Sequence, residues 1–270
     1  MISVSIVTYN TEKGELESCL NSLDSPLIDI IYIIDNSRRK ETEQFCRRYN
    51  KVKYIGSENV GYGAGHNQAL NEVLNGGEEY HLVLNSDVYF EPDVLEIIVK
   101  YMDANPQIGQ LHPRMVYPDG RLQYSCRLLP NPLNLFGRRF LPSFFMRKID
   151  SRYTLAFDDH KKSFNVPYHQ GSFMFFRIKA LRKIGLFDER YFMYPEDIDI
   201  TRRMHREYDT IFYPEVTVVH AHRQDSYKNR RMLKIHIVNM IKYFNKWGWF
   251  FDKERREFNR RLLDALNYKK

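Results

Sequence analysis

Ile2 to Thr8 is a short run of apolar and β-branched residues with no room for a helix. It is followed by polar Tyr9-Asn10-Thr11 and then by Leu16, Cys19, Leu20 and Leu23 at helical spacing, so the pattern predicts strand, loop, helix. The cycle repeats three times. Ile28–Ile34 is a continuous apolar run ending at Asp35-Asn36-Ser37, with a helix-like segment over Glu41–Tyr49. Val52–Ile55 leads into Asn59-Val60-Gly61-Tyr62-Gly63-Ala64-Gly65 and a helix over His66–Leu74. His81–Leu84 is broken by Asn85-Ser86-Asp87, and Glu91-Pro92 puts proline where a helix can begin. Continuous rather than alternating apolar strands, separated by helices, predict an α/β fold with a mostly parallel sheet covered on both faces.

Each polar cluster falls at the carboxyl end of its strand, where open α/β sheets bind ligands. Asn, Asp, Gly and Ser also simply make turns. Four such clusters in phase at four strand ends favour one shared ligand edge. The segment from about Tyr117 to Val166 is rich in Pro, Phe, Arg and Leu without a clear period, and reads either as an acceptor-side loop or as an inserted helical hairpin.

Composition narrows the class. With 43% hydrophobic and 28% charged residues over 270 positions, the chain is neither collagen-like, coiled coil nor extensively disordered. Its 3 cysteines, Cys19, Cys46 and Cys126, form no metal-like spacing, which fits a reducing, cytoplasmic setting. No run approaches the ~18 apolar residues of a membrane span, and no signal-peptide pattern opens the chain. The formal charge of +7 is uneven. Tyr227 to Lys270 hold 13 Lys and Arg against 4 Asp and Glu, a local +9, which leaves residues 1–226 at −2. Both tryptophans, Trp247 and Trp249, lie in this basic tail, so the one compositional boundary falls near residue 227.

Three clusters carry chemistry. A carboxylate at a strand end, Asp87, suits Mg²⁺ or Mn²⁺, which takes one or two protein carboxylates plus substrate phosphates. Gly61, Gly63 and Gly65 are neither a dinucleotide fingerprint nor a P-loop, but can admit a ligand close to backbone at a helix N-terminus. In the second half, Gln170-Gly171-Ser172 opens an apolar strand, and Met193-Tyr194-Pro195-Glu196-Asp197-Ile198-Asp199 sets acidic residues among aromatics. Glu196 and Asp197 would also serve as first-turn compensation of the helix dipole.

The ordered set Ser5-Ile6-Val7-Thr8-Tyr9-Asn10, Ile34-Asp35-Asn36-Ser37, Glu58-Asn59-Val60-Gly61-Tyr62-Gly63-Ala64-Gly65-His66-Asn67, Leu84-Asn85-Ser86-Asp87, Gln170-Gly171-Ser172 and Tyr194-Pro195-Glu196-Asp197-Ile198-Asp199 resembles the family 2 glycosyltransferases. It looks closest to the bacterial rhamnosyltransferase-like branch that builds surface polysaccharides. The match runs over roughly residues 1–226, and its strength lies in order and spacing. The resemblance implies a GT-A fold, with a nucleotide-binding half to about residue 110 and an acceptor-binding half from about 111 to 226. It implies an inverting, metal-dependent transfer from a nucleotide-diphosphate sugar to a saccharide hydroxyl.

Carried over residue by residue, Thr8, Tyr9 and Asn10 line the nucleotide pocket, and Asp35 contacts the base. Asn59, Gly61, Gly65 and Asn67 border the ribose and diphosphate. Asn85-Ser86-Asp87 stands for the family's DxD site, with Asp87 as metal ligand and Asn85 replacing the first Asp. That lost charge leaves room for a further ligand. His220 in Val218-Val219-His220-Ala221-His222 is the candidate, with His222 as the alternative, and imidazole suits Mn²⁺ better than Mg²⁺. Asp197 is expected as catalytic base, with Glu196 or Asp199 orienting the acceptor or Arg203, and Gly171, Ser172 and Arg203 bordering the substrates. His66 stands where the family often has Asn, and Tyr208 where it usually has Gly.

In the tail, Leu233, Ile237, Ile241 and Phe244, then Phe258, Leu262, Ala265 and Leu266, predict two amphipathic helices joined near Trp247–Phe251. They either pack on the body or lie on an anionic membrane, which would bring the enzyme to a lipid-linked acceptor on the inner face of the plasma membrane. No zinc-finger, RRM or helix-turn-helix signature accompanies the charge, so nucleic acid is not an expected partner. A sugar-1-phosphate nucleotidyltransferase is the alternative enzyme, but lacks its basic glycine-rich loop here. A non-catalytic sugar-nucleotide-binding subunit is the alternative outside enzymes. A dinucleotide oxidoreductase is disfavoured because Thr8–Glu12 contains no glycine.

Overall fold

The structure, a computed structural model, describes residues 1–137, 143–221 and 230–268. His222 lies outside them. The first half alternates as the pattern predicts: β1 (Ile2–Thr8), α1 (Lys13–Ser22), β2 (Ile28–Asp35), α2 (Lys40–Cys46), β3 (Val52–Gly56), α3 (Tyr62–Val73), β4 (Tyr80–Leu84), β5 (Val88–Tyr89) and α4 (Val94–Ala104). Then follow β6 (Ile108–Val116), β7 (Cys126–Arg127), a π-helical turn at Leu133–Gly137, α5 (Ser143–Tyr153), β8 (Phe164–Asn165), β9 (Tyr168–His169), β10 (Phe173–Arg177), α6 (Ile178–Ile184), α7 (Glu196–Glu207), β11 (Asp209–His220), α8 (Arg230–Trp247) and α9 (Lys253–Ala265).

The central sheet runs β3-β2-β1-β4-β10-β6-β11-β5, with β8 beside β11. β1 pairs in parallel with β2 and β4, and β6 with β11, but β10 is antiparallel to both its neighbours. Apolar continuity does not reveal that reversal. Phe173, Met174, Phe175 and Phe176 are all fully buried, because helices cover both faces of a mid-sheet strand whichever way it runs. Ile2, Val4 and Ile6 pack with α1 and α4 on one face, and β10 with α3, α6 and α7 on the other. Each such buried side chain contributes roughly 1.5–3 kcal/mol.

The compositional boundary near residue 227 is not a packing boundary. Tyr243, Phe244, Phe258, Leu262 and Leu263 of α8 and α9 share one core with Cys126, Tyr153, Tyr168, Ile198 and Phe212. The same helices are ionically pinned to α7. Arg202, 1% exposed, donates to Asp252 at 2.7 and 2.8 Å and to Glu254 at 2.7 Å, and its guanidinium lies 4.1 Å from the Trp247 ring centre. Asp199 accepts from Trp247 Nε1 at 2.8 Å and pairs with Lys246 at 2.6 Å. Asp199 therefore ties the tail to α7 and also holds Arg203 at 2.9 Å.

Candidate active site

At the carboxyl ends of β1 and β4 lies a cavity of about 740 Å³. Tyr9 and Asn10 line it from the loop after β1, Asn85-Ser86-Asp87 from the loop after β4, and Gly171 and Ser172 from the approach to β10. Glu196 and Asp197 enter from the first turn of α7, and His220 from the end of β11. The segment between residues 117 and 166 contributes Arg127, Asn134, Leu135 and Tyr153, and α8 closes one wall with Met232, His236 and Met240.

Asp87 and His220 meet because β5 pairs antiparallel with β11, His220 opposite Val88. The Ala221 N–H also donates to the Asp87 carbonyl at 2.9 Å. The result sets His220 Nε2 3.3 Å from Asp87 Oδ1 at the cavity wall. Adjacent ligands of an octahedral ion at ~2.0–2.1 Å stand about 3 Å apart, so the pair fits two neighbouring coordination positions. Among the described residues no group of three or more His, Cys, Asp and Glu is placed to hold a metal. Two protein ligands are nevertheless enough for a cation that takes its remaining oxygens from a diphosphate and water.

The carboxylates on α7 are unlike each other. Asp197, 7% exposed, accepts from the Gly171 N–H at 3.0 Å through Oδ2 and from the Ile198 N–H at 2.8 Å through Oδ1. Burial pushes its pKa up, against those two N–H donors and the nearby Arg127 charge. Glu196 is 3% exposed, with Oε2 unpartnered, and burial followed by the Asp197 charge raises its pKa well above the usual range. An oriented buried carboxylate with a raised pKa is suited to accept a proton near neutrality. Beside it, the Tyr62 hydroxyl donates to the Gly171 carbonyl at 2.7 Å and lies 2.9 Å from Asn85 Oδ1, tying the two halves together.

Several residues expected at the site do not line the cavity. Asp35 is fully buried and accepts from Ser37 N–H and hydroxyl, Arg39 N–H, the Tyr54 hydroxyl and Thr8 Oγ1. Burial raises its pKa, but those hydrogen bonds outweigh it and the net shift is downward. Thr8 is buried against it. Asn59 caps Gly61 N–H at 3.3 Å. Gly61 has φ +99°, and an added Cβ would stand 2.2 Å from the Phe192 carbonyl oxygen, so its glycine serves chain crossing. Gly65 lets α3 press on Val7. Asn67 bridges the Phe187 N–H and carbonyl at 3.1 and 2.9 Å. Arg203 binds Asp199 at 2.9 Å and the carbonyls of Ile184 and Leu186 at 2.6 and 2.7 Å, so it braces the α6–α7 junction. These loops shape the ligand edge mainly from behind.

The same architecture recurs in known structures. The chain superposes on Staphylococcus aureus TarS 1-349 in complex with UDP-GlcNAc at TM-score 0.60, with 18% identity, covering 97% of this chain and 72% of that one. It matches the mannosyltransferase PcManGT from Pyrobaculum calidifontis, in complex with GDP-Man and Mn²⁺, at TM-score 0.58, with 17% identity and coverage of 98% and 74%. These likenesses define the fold as GT-A. The model of glycosyl transferase family 2 matches residues 3–185, more than half the chain, and the chain belongs to that family. Among curated relatives, it is 27% identical over 204 residues to the N-acetylglucosaminyl-diphospho-decaprenol L-rhamnosyltransferase of Mycobacterium tuberculosis, covering 70% of this chain and 66% of that protein. It is 26% identical over 263 residues to the rhamnosyltransferase WbbL of Escherichia coli K12, covering 90% and 92%.

Proposed function

We propose that this protein transfers a sugar, rhamnose by its relatives' names, from a nucleotide-diphosphate donor to a hydroxyl of a saccharide acceptor, with inversion, in building a surface polysaccharide. The observation that carries this reading is that one cavity joins the Asp87–His220 pair to the buried carboxylate of Asp197. Tyr9 and Asn10 would border the nucleotide. Mn²⁺ or Mg²⁺, held by Asp87 and His220, would supply Lewis-acid stabilisation of the departing diphosphate. Asp197, fixed by Gly171 and Ile198 N–H, takes the proton of the attacking hydroxyl as the new glycosidic bond forms. Gly171 and Ser172 border the acceptor beside it.

The catalytic body is read as residues 1–226, and α8 completes the acceptor wall through Met232, His236 and Met240. An acceptor linked to lipid is supported by the decaprenol-linked substrate in one relative's name. A peripheral site on an anionic cytoplasmic membrane face is supported by Phe250 and Phe251, 73% and 90% exposed at the α8–α9 turn of the basic tail. No helix among the described residues is long and apolar enough to cross a membrane. A thermal-shift panel of uridine, thymidine and guanosine diphosphate sugars with and without Mn²⁺ tests the activity class. Selective, Mn²⁺-enhanced stabilisation by one donor is expected, at ~2.7 kcal/mol for ligand at a hundred times Kd. Indifference to every donor would reject the reading.

A further inference from the structure

Behind His220, on the side away from the cavity, sits Gln123, 6% exposed, in the stretch after β6. Its backbone is held by Gln123 N–H donating to the Met115 carbonyl at 2.9 Å. Its side chain meets His220 twice. Nε2 donates to the His220 backbone carbonyl at 2.7 Å, with the Val116 carbonyl at 3.5 Å, and Oε1 stands 2.9 Å from His220 Nδ1.

Those contacts select one tautomer of the neutral ring, the form that can bind a cation. Both carbonyls can only accept, so the amide NH₂ must face them, and Oε1 is left facing Nδ1. An amide oxygen is an acceptor only, so Nδ1 must carry the proton. A neutral imidazole has one N–H, which leaves Nε2 with its lone pair. Nε2 is the nitrogen that faces Asp87 Oδ1 at 3.3 Å. Two lone-pair donors so placed suit a shared cation, and the backbone carbonyl of the same histidine is what orients the amide that sets its tautomer.

We propose that Gln123 is a positioning residue that locks His220 as the Nδ1–H tautomer and so presents Nε2 to a divalent cation shared with Asp87. This rests on the metal reading of the Asp87–His220 pair. Nothing in the local sequence marks Gln123, which lies in the aperiodic segment between residues 117 and 166.

The test has two readouts on the intact chain. The first needs no metal: histidine side-chain ¹H–¹⁵N spectra, with His220 assigned by its loss in His220→Ala, report the tautomer directly. Wild type should show Nδ1–H, and Gln123→Leu should lose that preference. The second is Mn²⁺ affinity in the presence of a nucleoside diphosphate. It should fall about 10–100-fold in Gln123→Leu, the usual cost of losing a hydrogen-bonding support to a ligand. An Nε2–H tautomer in wild type overturns the proposal even in protein that fails to bind metal. Unchanged Mn²⁺ affinity in Gln123→Leu, while His220→Ala loses affinity, overturns it and leaves the metal reading standing. Unchanged affinity in both His220→Ala and Asp87→Ala would overturn both.

Discussion

The Nε2 atom of His220 lies 3.3 Å from Oδ1 of Asp87, at one end of the antiparallel pairing of β5 with β11. The contact joins a turn after β4 to the end of β11, so the proposed cation site forms only once β5 and β11 have paired. Asp87→Ala and His220→Ala should each abolish the Mn²⁺-dependent part of donor-induced thermal stabilisation while leaving the metal-free melting temperature within a few degrees. The double variant should lose no more than either single one, because both act on one ion.

Buried histidines make the fold acid-sensitive. His81 bonds Ser3 and Ser5 and is pushed down to about 3 by burial, and His112, between Phe173 and Ser125, to about 4. Burial holds His66 and His169 well below the usual value of 6.5. Each folded pKa is lowered, so the fold prefers the neutral ring. That preference is fully expressed above pH 6.5 and lost as pH falls towards 3–4. Thermal melts across this range should show a falling midpoint, with His81→Asn reducing the slope.

Arg202 of α7 and Asp252 at the start of α9 form a bidentate pair at 1% and 3% side-chain exposure. Asp252→Ala would leave the buried guanidinium with Glu254 as its remaining carboxylate partner and remove the cap on Arg255 N–H, which Asp252 accepts at 2.9 Å. A loss of about 3–5 kcal/mol is expected by urea unfolding. Because α8 carries Met232, His236 and Met240 into the cavity, transfer should weaken along with the docking of the tail.

Phe250 and Phe251 are the most exposed large apolar side chains among the described residues. Replacing both by Asp should abolish co-flotation with anionic vesicles and leave turnover of a soluble saccharide acceptor unchanged, as neither lines the cavity. Flotation that persists in the variant would remove this turn as the point of membrane contact.

Much of this fold could be read from local pattern. The strand ends, the turn at Asn85-Ser86-Asp87 and the two tail helices were legible because apolar runs and helical spacing are local. The antiparallel course of β10 was not, since a strand buried on both faces looks the same in either direction. Nor were Arg127 and α8 as cavity walls, or Gln123 behind His220, because their places come from contacts between segments far apart in the chain that leave no local signal. Asn67 and Arg203 show the converse: a motif position fixes where a side chain starts, and its nearest carbonyls decide whether it reaches the ligand.

The central claim is that Asp197 takes the proton of the acceptor hydroxyl. Burial holds its pKa above the ordinary aspartate value of 3.8, so the rate should rise with pH through a midpoint above that value as the carboxylate forms. The decisive measurement is kcat and donor affinity for Asp197→Asn beside wild type across that range. The account predicts an unchanged donor Kd, a kcat lower by about 10²–10⁴-fold and no acid limb. Near-normal kcat in the variant, with the acid limb intact, would contradict it.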